Sequence, residues 1–133
     1  MFGFSRRSAK RIVRRYVTCF NRRDIAGIAD LLHPDCCLID NFGERIEGRA
    51  SVVEATRQLF AMDPDLSLRV DTVVEHEGDL MLRGHASASI PELAGPAMWR
   101  ATCKEGLIIC WQSFGPDEQA HLVEMLRKSV SKT

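Results

Sequence analysis

The chain has 133 residues, the length of one domain with room for a real core. With 45% hydrophobic and 27% charged residues its composition is that of a globular protein, and no apolar run reaches the ~18 residues of a membrane-spanning helix. The net charge is zero but unevenly spread: eight basic residues (Arg6, Arg7, Lys10, Arg11, Arg14, Arg15, Arg22 and Arg23) precede the first acid, Asp24, and the remainder carries 10 basic against 18 acidic residues.

Ile12, Val13, Tyr16, Val17 and Phe20 recur at helical spacing through this basic stretch, which predicts a first helix from Ser8 to Asn21 with a core-facing stripe and a solvated basic face. The alternatives for such a start are a transit peptide or a nucleic-acid patch, and neither needs a core stripe. The same basic residues interrupt any apolar segment that could serve as a secretory signal. Asp24 is placed to cap a short second helix with Ile25, Ile28, Leu31 and Leu32 on its apolar face, stopped by Pro34. Cys36 to Asp40 reads as a strand, Asn41-Phe42-Gly43 as a turn, and Arg45 to Glu47 as a short returning strand. A third helix is expected from Ala50 to Met62.

The second half changes period. Leu66 to His76 reads as a strand with Leu68, Val70, Thr72 and Val74 on one face, and Leu80 to Ile90 as its hairpin partner. After a loop at Pro91 to Pro96, Met98 to Cys103 and Leu107 to Phe114 form a second hairpin across Lys104-Glu105-Gly106. Pro116 can start a last helix over about residues 116–130. Helices followed by antiparallel strands make an α+β domain with helices on one face of a bent sheet. One domain is expected over residues 1–133, with its core at about 8–115.

The five cysteines, Cys19, Cys36, Cys37, Cys103 and Cys110, form no C-x-x-C, and the four histidines show no zinc spacing. They read as small apolar residues of a protein in a reducing cytoplasm, with no metal or cofactor.

Tyr16, Asp24-Ile25, a short helix, Pro34-Asp35, a strand ending in Asp40, Phe42-Gly43 and Gly48 together resemble the ketosteroid isomerase branch of the NTF2-like (cystatin-like) fold, to which the SnoaL-like polyketide cyclases also belong. The resemblance covers roughly residues 8 to 115. It implies a cone-shaped curved sheet wrapped by N-terminal helices, an apolar pocket at the open end for an apolar small molecule, and a homodimer through the outer sheet face. It further implies proton transfer, an isomerisation or an aldol-type cyclisation, without a cofactor. Asp40 would be the base and Tyr16 the donor to the substrate carbonyl, a pairing of roles for which ketosteroid isomerase is the standard worked case. Asp40 can equally be a turn residue, and Tyr16 a core tyrosine. The second oxyanion donor of those isomerases falls at about Met98, which donates no hydrogen bond. A non-catalytic ligand-binding or scaffold module is therefore the alternative, with nucleic-acid contact through the first helix ranked behind both.

Phasing the strands on that alignment places Met98, Arg100 and Thr102 inward on one strand, and Leu107, Ile109, Trp111 and Ser113 on the next. Leu82, Gly84, Ala86 and Ala88 would face in on the earlier strand, with Phe20, Leu38 and Phe60 completing the lining. An inward Arg100 would call for an anionic ligand or for Asp40 as partner.

Overall fold

The computed structural model of the chain describes residues 6–40 and 43–114. The expected C-terminal helix and the turn residues Asn41 and Phe42 lie outside them. Three helices, α1 (Arg6–Asn21), α2 (Ile25–Leu31) and α3 (Arg49–Met62), and six strands, β1 (Leu32–Ile39), β2 (Arg45–Glu47), β3 (Ser67–His76), β4 (Asp79–Ser87), β5 (Gly95–Lys104) and β6 (Leu107–Phe114), follow one another, with a 3-10 turn at Pro91–Leu93. The strands form one curved sheet in the order β2-β1-β6-β5-β4-β3. All neighbours are antiparallel except β1 and β6, which run parallel.

The helices follow from their apolar stripes. Val13, Tyr16, Val17 and Phe20 are buried along α1 at i, i+3, i+4 and i+7, and Val52, Ala55, Thr56 and Leu59 repeat that spacing on α3. Asp24 caps α2, its side chain accepting from the Gly27 amide at 2.9 Å. The helix ends at Leu31 because Leu32 turns extended, so Pro34 lies inside β1 and does not stop the helix. It sits in the stretch where the β1–β6 register shifts, between Leu32 and Cys37, a bulge position that tolerates a missing amide donor. β3 is the far edge of the sheet, and α1 pins it: the Asn21 side chain donates to the Leu68 carbonyl and accepts from the Leu68 amide, both at 2.8 Å.

Bulges bend the sheet and reset its phase. In β3 the register shifts between Val70 and Thr72, leaving Asp71 as the extra residue. Leu68 and Val70 therefore face the core, but Val73 follows them inward. Thr72 and Val74, expected on the same face as Leu68, lie outside, and Val74 is 58% exposed. Opposite the bulge stands Gly84, where a Cβ atom would lie 1.8 Å from the Arg69 carbonyl oxygen. The two strands cross there at a distance only glycine permits.

Residues 88–90 belong to a loop and not to β4, and Asp63 holds that loop. Its carboxylate, fully buried, accepts from the amides of Asp65, Ser89 and Ile90 at 3.1, 3.2 and 2.7 Å. Burial pushes the Asp63 pKa up, but the amides of Ile90, Ser89 and Asp65, with Arg23 behind them, outweigh it and hold the group below its ordinary value of 3.8. A depressed folded-state pKa contributes stability that is present above the ordinary value and is lost as pH falls through the folded one.

Gly84→Ala should lower stability by about 1–3 kcal/mol in urea melts, because the clash is with backbone and no rotamer relieves it. Asp63→Asn should reduce stability at neutral pH and flatten its decline below the carboxylate range, where the wild type should fall steeply.

Candidate functional site

A cavity of about 100 Å³ opens between the concave face of the sheet and helices α1 and α3. Tyr16 and Phe20 reach it from α1, one helical turn apart, and Ala55, Thr56 and Leu59 from α3. Leu38 of β1, Leu66 just before β3, Leu68 near its start, and Ala86 of β4 line the sheet side. Ala97 and Trp99 of β5 and Trp111, Ser113 and Phe114 of β6 complete the wall, with Glu92 and Leu93 from the 3-10 turn. Glu92 is the exposed residue of this lining.

The aromatic rings are in contact with one another. Phe20 and Tyr16 stand 6.4 Å apart, Tyr16 and Trp111 4.7 Å, and Trp111 and Trp99 6.2 Å between ring centroids. Such tilted arrangements suit the ring quadrupoles and fix the wall's shape. Phe60 stands behind them, edge-on to Phe20 at 4.9 Å and covered by the Arg23 guanidinium at 4.5 Å, and does not line the cavity.

The hydroxyls of Thr56 and Tyr16 differ in their satisfaction. Thr56 donates to the Val52 carbonyl at 2.8 Å, within its own helix. Tyr16 is 3% exposed, and among the described residues its hydroxyl makes no hydrogen bond. Burial pushes its pKa well above the ordinary tyrosine value, with the nearby Cys36 adding to the effect. Two thiols of the adjoining strands β1 and β6 are shifted upward as well. Burial, then Cys37, raises Cys36 to about 11; burial, then Cys37, raises Cys110 to about 12. Neutral thiols at these values are poor nucleophiles.

Asp40 follows β1, two residues beyond Leu38, and is 1% exposed. Its Oδ1 accepts from the Glu44 amide at 3.0 Å, and its carbonyl accepts from the Gly43 amide at 3.1 Å. It therefore holds the turn into β2, and it is not among the residues lining the cavity. The structure thus puts Tyr16 in the cavity wall and Asp40 in the buried turn at the end of the strand that supplies Leu38.

Of the other residues expected at the pocket, Phe20, Leu38, Ala86, Trp111 and Ser113 line it. Leu82 is core, 1% exposed, Gly84 lies against the β3 backbone, and Ala88 packs on the core from the loop. Met98, Arg100 and Thr102 are corrected: β5 presents Ala97, Trp99 and Ala101 inward, and these three fall on the outer face. Arg100 donates to Gln112 at 2.8 Å and lies 3.8 Å from the Asp79 carboxylate, which also accepts from the Thr102 hydroxyl at 2.7 Å. Polar partners and water make that face the cheaper place for a guanidinium. The β5–β6 register shifts between Thr102 and Cys103, so Ile109 is the extra residue and Ile108, not Leu107 or Ile109, enters the core.

The inward turn of Trp99 was readable in the alternation of Trp99, Ala101 and Cys103 with Arg100, Thr102 and Lys104. Ala55 and Thr56 follow from the α3 stripe. Nothing in the spacing of the 91–96 loop marks Glu92 or Leu93.

Among the described residues no group of three or more His, Cys, Asp or Glu side chains gathers as a metal site would, and no helix is long and apolar enough to cross a membrane. A family model described as a SnoaL-like domain matches residues 13–111. Solved structures share the fold. A provisionally named polyketide cyclase from Sinorhizobium meliloti is 17% identical at a TM-score of 0.72, covering 83% of this chain and 99% of that one. A provisionally named ketosteroid isomerase from Kribbella flavida is 19% identical at 0.71, covering 84% and 79%. A cystatin-fold protein from Novosphingobium aromaticivorans is 13% identical at 0.69, covering 79% and 96%. No curated protein sequence matches the chain.

Tyr16 is the only tyrosine in the chain, so ultraviolet absorbance reads its ionisation alone. No phenolate signal should develop in the folded protein as pH passes the ordinary value of 10.0. A folded-state pKa raised in this way gives stability that is complete below pH 10.0 and declines above it, so the signal should rise only as alkali unfolds the chain.

Proposed function

The chain belongs to the SnoaL-like domain family, and from that premise we propose that its cavity binds a small, largely hydrocarbon molecule carrying a hydrogen-bond acceptor, to which the Tyr16 hydroxyl donates. The supporting observation is Tyr16 itself: its side chain is 3% exposed and its hydroxyl makes no hydrogen bond to the described residues, at the wall of an otherwise largely apolar hollow. A ligand carbonyl accepting from it would gain about 0.5–1.5 kcal/mol net, the worth of one neutral hydrogen bond. About 100 Å³ is on the scale of the ~150 Å³ apolar cavity that holds one benzene ring, so the hollow takes in a group of about that size or smaller, with the rest of a ligand reaching the open end.

Proton transfer is the second reading, favoured by the burial of Asp40 in the turn directly after the strand that supplies Leu38 to the cavity. In this reading Asp40 takes a proton from the carbon between a carbonyl and a double bond, and Tyr16 donates to the oxygen as it becomes enolate-like. The same carboxyl then returns the proton to the far carbon of the double bond. Atoms balance within the substrate, and no cofactor takes part.

Both tryptophans of the chain line the cavity, so their fluorescence reports occupancy. 2-Cyclohexenone should bind about fivefold tighter than cyclohexene, the worth of about 1 kcal/mol for one neutral hydrogen bond, and Tyr16→Phe should erase the difference. Equal binding of the two by the wild type removes Tyr16 from recognition. For proton transfer, conversion of 3-cyclohexenone to the conjugated 2-enone should slow at least ~100-fold in Asp40→Asn. An unchanged rate in a variant that still binds the enone removes Asp40 from the mechanism.

A further inference from the structure

The charge inventory of the cavity wall is one-sided. Among the described residues Glu92 is the one charged residue lining it, and Arg100, the cation expected there, lies on the outer face of the sheet beside Asp79 and Gln112. Four of the lining residues, Phe20, Tyr16, Trp111 and Trp99, present rings in mutual contact. Aromatic faces carry the negative end of the ring quadrupole and attract cations, tryptophan most strongly. A carboxylate at the exposed end of an aromatic-walled hollow repels a ligand carboxylate or phosphate and attracts an ammonium head.

We infer that the ligand of this cavity is cationic: a compact amphiphile with a quaternary ammonium group, its charge set between Glu92 and the tryptophan faces and its acceptor atom directed to Tyr16. This rests on the reading of the cavity as a ligand site and adds the sign of the ligand's charge. An ammonium carrying only methyl groups suits the wall better than a primary amine. It has no N–H groups to satisfy, and the hollow offers few acceptors: the Thr56 hydroxyl already bonds the Val52 carbonyl, and the remaining lining is mostly hydrocarbon. Glu92 is exposed, so its share of the attraction is screened by salt, whereas the share of the buried rings is not.

Three probes with one tert-butyl-like body separate the contributions: choline, its neutral carbon isostere 3,3-dimethylbutan-1-ol, and the anion 3,3-dimethylbutyrate. Titrated against the full chain by tryptophan fluorescence and calorimetry, choline should bind about tenfold tighter than the alcohol, and the anion should bind weakest. Glu92→Gln should weaken choline about threefold, consistent with an exposed charge, and leave the alcohol unchanged. In the wild type, added salt should weaken choline alone. Equal affinities for choline and the alcohol would overturn the charge assignment while leaving the cavity a ligand site. An equal loss of both probes in Glu92→Gln would overturn the role of Glu92 by showing it to be steric. Failure of all three probes, the neutral one included, would overturn the cavity reading and this inference with it.

Discussion

The close crossing of β3 and β4 at Gly84 shapes the molecule. There the Arg69 carbonyl stands where any side chain would begin, and Asp71 opposite is the residue that β3 carries in excess. A bulge bends the strand that carries it and increases its twist, where a regular pair would run straighter under α1 and α3. Bent at this point, and again where Ile109 is extra in β6, the sheet stands off from the helices along one side. The cavity lies in the space so created.

The polar groups around that space are largely engaged in holding it open. Asp63 ties the end of α3 to the loop after β4, which leads into the 3-10 turn carrying Glu92 and Leu93. Asn21 fixes the edge strand to α1, and Asp40 closes the turn between β1 and β2. Each is satisfied by backbone close to it, which gives the rim a defined geometry without drawing on the cavity itself. The Tyr16 hydroxyl, by contrast, makes no hydrogen bond to the described residues. A protein that needed Tyr16 only for packing could carry phenylalanine there and avoid desolvating a hydroxyl. The hydroxyl is what gives the site its chemical direction, and Glu92 at the open end gives it a sign.

Much of this was legible in the chain. The stripes of α1 and α3, the Asp24 cap, the hairpins at Gly78 and Gly106 and the sequence of helices then strands all follow from local pattern, because one face of each element meets the core and the other meets water. Bulges were not legible. Each inserts one residue and inverts the inside–outside rule downstream, so Thr72 and Val74 exchange places with Val73, and Leu107 and Ile109 with Ile108. Pro34 misled for the same reason: a proline that reads as a stop is tolerated in a strand where the ladder is already broken. The β5 error had a different origin. Phasing that strand on a family position at Met98 overrode the polar alternation of Arg100, Thr102 and Lys104, which pointed outward correctly and left Trp99 to the cavity. Glu92 had no periodic signal to give, since it lies in an irregular connection placed by Asp63 from the far end of α3.

The account stands on a genuine hollow between the bent sheet and the helices, and xenon tests it without assuming any ligand. Crystals of the protein pressurised with xenon should show the gas bound among Tyr16, Phe20, Leu59, Trp99 and Trp111, as expected of a largely apolar hollow of this size. A well-ordered structure in which those side chains meet and xenon finds no place among them would contradict it.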